Sequence, residues 1–226
     1  MSSSPARPAT PPLPPLLLAR HAETVYNAGG RMQGASRHTP LTHAGIAQAH
    51  AMGKALRAAL GERPALTLWA SPAGRTLQTA AIIAEHLGLD FFAIREEPRL
   101  LEIDVGGWEG RAYADIVAES GSIVDLERRL FSRRPPGGEW YPEVAARLGD
   151  WVADLATASG LQLAISHGIT ARVLRGLLVG GTPYGPEATP IADDVPQGTV
   201  MRIEAGHEAP VHVGTGSTGE HRLKSV

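Results

Sequence analysis

An Arg–His pair stands directly after an apolar run near the beginning of the chain. Residues 16–19 read Leu-Leu-Leu-Ala, and Arg20 and His21 follow. This pattern predicts a buried strand that delivers both side chains to its carboxyl end, where open α/β sheets have their ligand crevice. A neutral imidazole can attack a phosphoryl group that a neighbouring guanidinium holds. The pair therefore predicts phosphoryl transfer, although a lone histidine at such a place can equally cap an element or fill the core.

Three further polar groups follow apolar runs in the same way. They are the turn Ser-Pro-Ala-Gly-Arg at 71–75, Glu102 after Arg-Leu-Leu, and Ser-His-Gly at 166–168. If the strands are parallel, these groups meet the Arg–His pair at one edge of the sheet. Two arginines would then supply forked donors and positive charge to a phosphate dianion. Taken singly, Arg75 could also lie on a helix face, and His167 could merely satisfy backbone groups.

Strand-like and helix-like segments alternate along the chain, and they predict the scaffold for these groups. The predicted strands are residues 16–19, 65–70, 91–94, 161–166 and 198–203. The predicted helices are one from Thr42 to Gly61, one capped by Ser71 with Pro72 at its first position, a segment 111–131 broken by Gly121, 142–158, and 170–179. This alternation predicts a three-layer α/β/α fold with a largely parallel central sheet.

The chain of 226 residues is expected to form one domain between two segments without a packed core. Residues 1–15 are a Ser/Pro-rich stretch that we expect to be a disordered tail. Residues 16–204 form the predicted domain, in which 105–140 would cover the crevice and set specificity. Residues 205–226 are polar and Gly-rich, and we expect no regular structure there.

Composition indicates an ordinary globular protein. The formal net charge of −2 favours neither a nucleic-acid nor a membrane partner, and the absence of cysteine excludes disulfides and thiolate chemistry. No apolar run approaches the length of a membrane span, and prolines interrupt any signal-peptide core. We expect a cytoplasmic protein whose partner is a small phosphorylated substrate. An organelle-targeting role for the tail and a homodimeric state both stay open.

Five motifs together resemble the histidine phosphatase superfamily, the phosphoglycerate mutase-like proteins. These are Arg20-His21-Ala-Glu-Thr24 with Asn27, Gln33-Gly34 and Pro40-Leu-Thr42; Ser71-Pro-x-x-Arg75 with Gln78-Thr-Ala80; Glu102 with Gly106-Gly-Trp-Glu-Gly110; Pro136-Gly-Gly-Glu139; and Ser166-His167-Gly168. In order and spacing they cover residues 16–203. The resemblance implies a phosphoglycerate mutase-like fold.

The resemblance also implies a role for each matched residue. His21 would be the nucleophile that becomes a phosphohistidine, with Arg20, Arg75 and His167 on the phosphoryl oxygens. Glu102 would protonate the leaving alkoxide and then deprotonate the attacking water, and burial and a nearby phosphate would favour its protonated form. The implied substrate-binding residues are Arg20, Asn27, Gln33, Gly34, Arg75, His167 and Gly168. Fixed positive charge would stabilise the transition state, so neither a cofactor nor a metal is expected.

Two sets of charged residues keep alternative interpretations. Other carboxylates close to Glu102 could be the acid instead: Glu96, Glu97, Asp104 and Glu109. Arg128, Arg129, Arg133 and Arg134 form a basic run that is usually a solvated face but could also cover the crevice. The remaining histidines, at 38, 43, 50, 86, 207, 212 and 221, show no metal-ligand spacing.

The stretch after Glu102 separates hydrolysis from mutase chemistry. Phosphoglycerate mutases of the family usually continue with Arg and, two residues later, Tyr, whereas this chain has Ile103 and Val105. A mutase must hold a released bisphosphate while it reorients, which requires additional anion contacts. We therefore expect a phosphomonoesterase for a small phosphorylated metabolite, near the broad-specificity and ribazole-phosphate phosphatases. Phosphoglycerate mutase is the alternative, and a non-catalytic phospho-ligand binding module is the third hypothesis.

Overall fold

A six-stranded sheet forms the centre of the computed structural model, which describes residues 13–217. The strands are β1 (Leu16–Arg20), β2 (Leu66–Ala70), β3 (Arg95–Glu96), β4 (Val124–Asp125), β5 (Leu130–Phe131), β6 (Leu161–Ser166), β7 (Thr182–Tyr184), β8 (Thr189–Ile191), β9 (Val200–Glu204) and β10 (His207–His212). The α-helices are α1 (Val25–Ala28), α2 (His43–Leu60), α3 (Gly74–Leu87), α4 (Tyr113–Ser120), α5 (Tyr141–Leu155) and α6 (Gly168–Val179).

The order of strands in the central sheet is β10-β9-β1-β6-β2-β3. The pairs β1–β6, β6–β2 and β2–β3 are parallel, whereas β9 runs antiparallel to both β1 and β10. The prediction of a largely parallel sheet is confirmed. The reversed direction of β9 has a functional consequence, because its beginning lies at the edge where the parallel strands end.

Helices cover both faces of this sheet, as a strand buried on both faces requires. In β1, Leu17 and Ala19 join the cluster formed with α2 and α3, whereas Leu16 and Leu18 join the one formed with α5 and α6. All five residues of β1 are buried. The predicted three-layer arrangement is thereby confirmed.

Two helix boundaries show where cap signals succeed and fail. Thr42 caps α2 through its side chain, which accepts a hydrogen bond from the Gly45 N–H, and Gly61 ends the helix with φ of 80°. The prediction that Ser71 caps α3 is wrong, because the helix begins at Gly74 after Ala73 and has no side-chain cap. The Ser71 hydroxyl instead contacts His167 at 2.7 Å.

Other predicted boundaries are corrected between the second strand and the fifth helix. Residues Phe91–Ala93 form a 3-10 turn, and the strand that follows is the two-residue β3. The run that precedes Glu102 is also a 3-10 turn, Pro98–Leu100, so this acid is carried by a loop and not by a strand. The helix α5 ends at Leu155, before the predicted end at residue 158.

The polar segment after residue 204 is partly regular, which corrects the expectation of no structure there. Strand β10 pairs with β9 and completes the sheet, so the folded unit extends beyond 204. Its sequence, His-Glu-Ala-Pro-Val-His, is polar because the strand lies at the sheet edge and none of its six positions is deeply buried. Residues 218–226 and most of the predicted tail, 1–12, lie outside the described residues.

The covering segment between residues 105 and 140 packs onto the face that carries α5 and α6. Helix α4 ends at Ser120, and Gly121 follows where the sequence predicted a break, but the helical prediction beyond this glycine is wrong because the hairpin β4–β5 lies there. Ile116, Ile123 and Phe131 join the same core cluster as the face beneath. Within residues 13–217, no helix combines the length and the apolar character needed to cross a membrane.

Candidate active site

Three neighbouring parallel strands bring the predicted site residues to one edge of the sheet. The residues that directly follow β1, β6 and β2 are His21, His167 and Ser71. The rings of His21 and His167 meet edge to face, with their centroids 5.2 Å apart. A cavity of about 120 Å³ opens beside His21.

Eight of the predicted residues line this cavity. They are Arg20, His21, Asn27, Gln33, Gly34, Arg75, Glu102 and Gly168. The exception is His167, which is fully buried and contacts His21 without forming part of the cavity wall. The structure therefore brings the predicted set together, with one histidine placed behind the others.

The tautomer of the neutral His21 ring is set by the backbone carbonyl of the next residue. The Nδ1 atom lies 2.7 Å from the carbonyl oxygen of Ala22, which can only accept a hydrogen bond. Nδ1 therefore carries the proton, and the lone pair of the neutral ring is on Nε2. The imidazole is only 4% exposed, so this orientation is held by packing as well. A nucleophilic nitrogen is thus prepared before any substrate binds.

Arg75 is a buried cation held by neutral acceptors. Its guanidinium donates to the carbonyl oxygens of Ser36 (2.6 Å) and Gly34 (2.8 Å), to the hydroxyl of Thr39 (3.0 Å), and to Nδ1 of His167 (3.1 Å). Burial lowers the pKa of Arg75 to about 10, and the charges of Glu102 and Glu109 oppose this shift. The side chain is still cationic near neutral pH. Its charge therefore faces the cavity at a fixed position, which suits the binding of an anion.

His167 positions this arginine. Its Nδ1 accepts from Nε of Arg75, so the ring proton is on Nε2, which donates to the Ser71 hydroxyl at 2.7 Å. Burial first, and then the charge of Arg75, holds the pKa of His167 well below its usual value. Both nitrogens are engaged within the protein. The geometry thus differs from the expected direct contact with phosphoryl oxygens, and it makes His167 a neutral support for Arg75.

Arg20 reaches the cavity across the beginning of α6. Its NH1 group donates to the carbonyl oxygen of Val195 at 2.6 Å and forms an ion pair of 3.2 Å with Asp194. Gly168 leaves room for this guanidinium, because a Cβ at that position would lie 3.3 Å from the nearer Arg20 nitrogen. No sequence pattern marks Asp194, because it precedes the antiparallel strand β9, whereas the predicted site residues follow strands.

Thr24 orients two amide side chains at the cavity. Its N–H donates to Oδ1 of Asn27 at 3.1 Å, and its hydroxyl lies 2.8 Å from Oε1 of Gln33. With both amide oxygens turned toward Thr24, the NH2 groups of Asn27 and Gln33 are the atoms available to a ligand at the cavity wall. The arrangement therefore presents hydrogen-bond donors, which phosphate oxygens require.

Glu102 lies at the amino terminus of α6. Its carboxylate accepts from the backbone N–H groups of Ile169 (3.2 Å) and Thr170 (3.0 Å), and it lies 3.1 Å from the Thr170 hydroxyl. Among the alternatives in the sequence, none lines the cavity: Glu97 pairs with Arg99, Asp104 accepts from Gly106, and Glu96 and Glu109 lie elsewhere. The geometry favours Glu102 as the acid over its neighbours.

The remaining wall of the cavity is mostly apolar and comes largely from the covering segment. Ile103 and Val105 line it, which places aliphatic side chains where the mutase pattern would have Arg and Tyr. The other lining residues are Arg129, from the basic run that could cover the crevice, and eight residues that sequence reasoning did not name: Met32, Tyr113, Val124, Leu130, Phe131, Ile169, Arg172 and Asp194. In the described part of the chain, no group of three or more metal-ligating side chains converges.

The fold and this site define an α/β protein in which a histidine and two arginines line one cavity at the edge of the sheet. The family model of the histidine phosphatase superfamily (branch 1) matches residues 16–216, and the chain belongs to this superfamily. The glucosyl-3-phosphoglycerate phosphatase of Mycobacterium tuberculosis is 35% identical over 143 residues, which are 63% of this chain and 60% of that protein. The match thus spans less than two thirds of that relative. "Probable phosphoglycerate mutase GpmB" of Yersinia pestis is 34% identical over 167 residues, 72% of this chain and 74% of that one.

Solved structures show the same fold. A mycobacterial glucosyl-3-phosphoglycerate phosphatase in complex with VO3 superposes with a TM-score of 0.69 at 27% identity, covering 90% of this chain and 100% of that one. The alpha-ribazole phosphatase of Shigella flexneri gives a TM-score of 0.66 at 24% identity and covers 90% and 96% of the two chains. The second likeness concerns the fold alone. Together they confirm the phosphoglycerate mutase-like architecture.

Proposed function

We propose that this protein is a phosphomonoesterase that hydrolyses a small phosphorylated metabolite through a phosphohistidine on Nε2 of His21. The observation that carries the proposal is the His21–Ala22 hydrogen bond of 2.7 Å, which leaves the lone pair on Nε2 at a cavity lined by Arg20 and Arg75. The two guanidinium groups neutralise the transferring phosphoryl group. Glu102 protonates the leaving oxygen and then takes a proton from the attacking water.

Hydrolysis is favoured over mutase activity by the wall beside the phosphate end. Ile103 and Val105 offer no donor that could hold a bisphosphate while it turns. The names of the mycobacterial phosphatases support hydrolysis, and the name of the Yersinia relative supports the alternative, phosphoglycerate mutase. Water is therefore the proposed acceptor. The absence of cysteine and the near-neutral charge support a cytoplasmic location without a nucleic-acid or membrane partner, and a homodimer stays a prediction.

Release of phosphate from p-nitrophenyl phosphate by the full chain tests the proposal. We expect steady turnover that His21→Ala abolishes, and an acid-labile phosphoryl adduct on the parent protein after rapid quenching. His207→Ala, which removes an exposed histidine from the β9–β10 hairpin, is the matched control and should keep full activity. Interconversion of 2- and 3-phosphoglycerate faster than phosphate release would identify a mutase. Phosphate binding without turnover of any ester would identify a binding module.

A further inference from the structure

The hairpin β4–β5 supplies much of the cavity wall opposite the phosphate end. Val124, Leu130 and Phe131 from its strands line the cavity, together with Arg129 from its turn. Because the phosphoryl group must lie near His21, this wall faces the leaving group of the substrate. A hairpin with two-residue strands has few ladder hydrogen bonds of its own, so its position depends on contacts from outside.

The hydroxyls of Tyr141 and Tyr184 lie on the carbonyl oxygen of Phe131 at the end of β5, and the turn of the hairpin is contacted by a buried side chain on α6. Arg172 donates through NH2 to the carbonyl oxygen of Arg128 and through NH1 to that of Arg129, both at 2.9 Å, and through Nε to that of Ala192, also at 2.9 Å. It is 3% exposed, and burial lowers its pKa. The planar fork thus spans two consecutive carbonyls of the turn, which an ammonium group cannot reproduce.

The turn itself needs this support. Arg129 has φ of 52°, a conformation that side chains other than glycine rarely adopt. Within the turn, the Arg128 N–H donates to Oδ1 of Asp125 at 3.0 Å. The same helix, α6, carries Ile169 and Thr170, whose N–H groups hold Glu102. One rigid element therefore fixes both the acid and the wall over the leaving group.

We propose that Arg172 is a specificity-determining positioning residue, which holds the β4–β5 turn over the leaving-group end of the cavity. This rests on the proposed phosphatase function. Substrates with a large leaving group then gain binding energy from the held wall, whereas a substrate with a very small leaving group gains little. Loss of the Arg172 guanidinium should accordingly raise KM for substrates with a large leaving group and leave KM nearly unchanged for a substrate with a very small one.

The test compares p-nitrophenyl phosphate with acetyl phosphate in Arg172→Lys. We expect KM for the aryl ester to rise about tenfold and KM for acetyl phosphate to change less than about twofold, with kcat for acetyl phosphate retained. Arg202→Lys, in an exposed ion pair on β9, is the matched control and should change neither. Equal changes in both KM values, or no change in either, would overturn the proposal.

Limited trypsin digestion is independent of activity: cleavage after Arg128 or Arg129 should be faster in Arg172→Lys than in the parent. Unchanged cleavage would refute the positioning role of Arg172, whether or not the parent protein hydrolyses either substrate. Failure of the parent protein to hydrolyse both substrates would refute only the proposed function.

Discussion

Acidification should destabilise this protein through His167. The imidazole is neutral in the folded chain, since burial holds its pKa well below 6.5, whereas in the unfolded chain it titrates near the ordinary value. Below pH about 6.5 the unfolded state binds a proton that the folded state does not, so stability falls as the pH falls until the folded pKa is reached. Between pH 7 and pH 5 this one group should cost about 2 kcal/mol.

The matched comparison is His167→Gln, whose amide oxygen and NH2 can replace the contacts to Arg75 and Ser71 without titrating. Urea unfolding followed by tryptophan fluorescence at pH 7 and at pH 5 gives the two free energies for each protein. The parent should lose about 2 kcal/mol more than the variant over this interval. If both proteins lost the same amount, His167 would be protonated in the folded state, and its acceptor role toward Arg75 would be wrong.

Three substitutions test other contacts. In single-turnover assays of the first step, Glu102→Gln should slow release of the alcohol from an alkyl phosphate roughly 10²–10⁴-fold but slow release of nitrophenolate much less, because nitrophenolate leaves without a proton; equal slowing of the two releases would contradict its acid role. Thr24→Val should cost about 1 kcal/mol through the lost cap of α1 and raise KM by releasing the amide of Gln33, and unchanged kinetics would exclude that orienting role. Gly34→Ala places a Cβ 2.5 Å from a valine side chain at φ of 51°, and it should lower the free energy of unfolding by roughly 2–4 kcal/mol in urea titrations. Gly110→Ala is the matched control: at φ of 75°, with no atom nearer than 3.8 Å to the added Cβ, it should cost only about half as much.

Sequence reasoning located the residues that directly follow parallel strands. The apolar runs before Arg20 and before His167 are buried on both faces of the sheet, so their apolar composition alone predicts two strands. Because these strands are parallel, their carboxyl ends lie at the same edge of the sheet. The ends of α2 could also be predicted, because Thr42 caps the helix with its own side chain and Gly61 adopts the positive φ that ends it. These features depend on residues that are close in sequence.

The missed features depend on partners distant in sequence. Ser71 has the pattern of a cap, but its hydroxyl is taken by His167, which is 96 positions away. Strand β10 has no apolar alternation because only its pairing with β9 makes it a strand. Asp194 reaches the site because β9 runs against its neighbours, and no local pattern reports the direction of a strand. The contacts that support the site residues could therefore be identified only from the structure.

The orientation of Arg20 depends on residues from the other end of the domain. Asp194 and Val195 hold its guanidinium across 174 and 175 positions of sequence, and the neighbouring Asp193 is tied through Arg175 to Glu208 on β10. During synthesis, Arg20 and His21 leave the ribosome long before these anchors exist. Phosphoryl chemistry should accordingly switch on only when translation has passed the last strand, so that a nascent chain cannot consume phosphate esters while it is still folding.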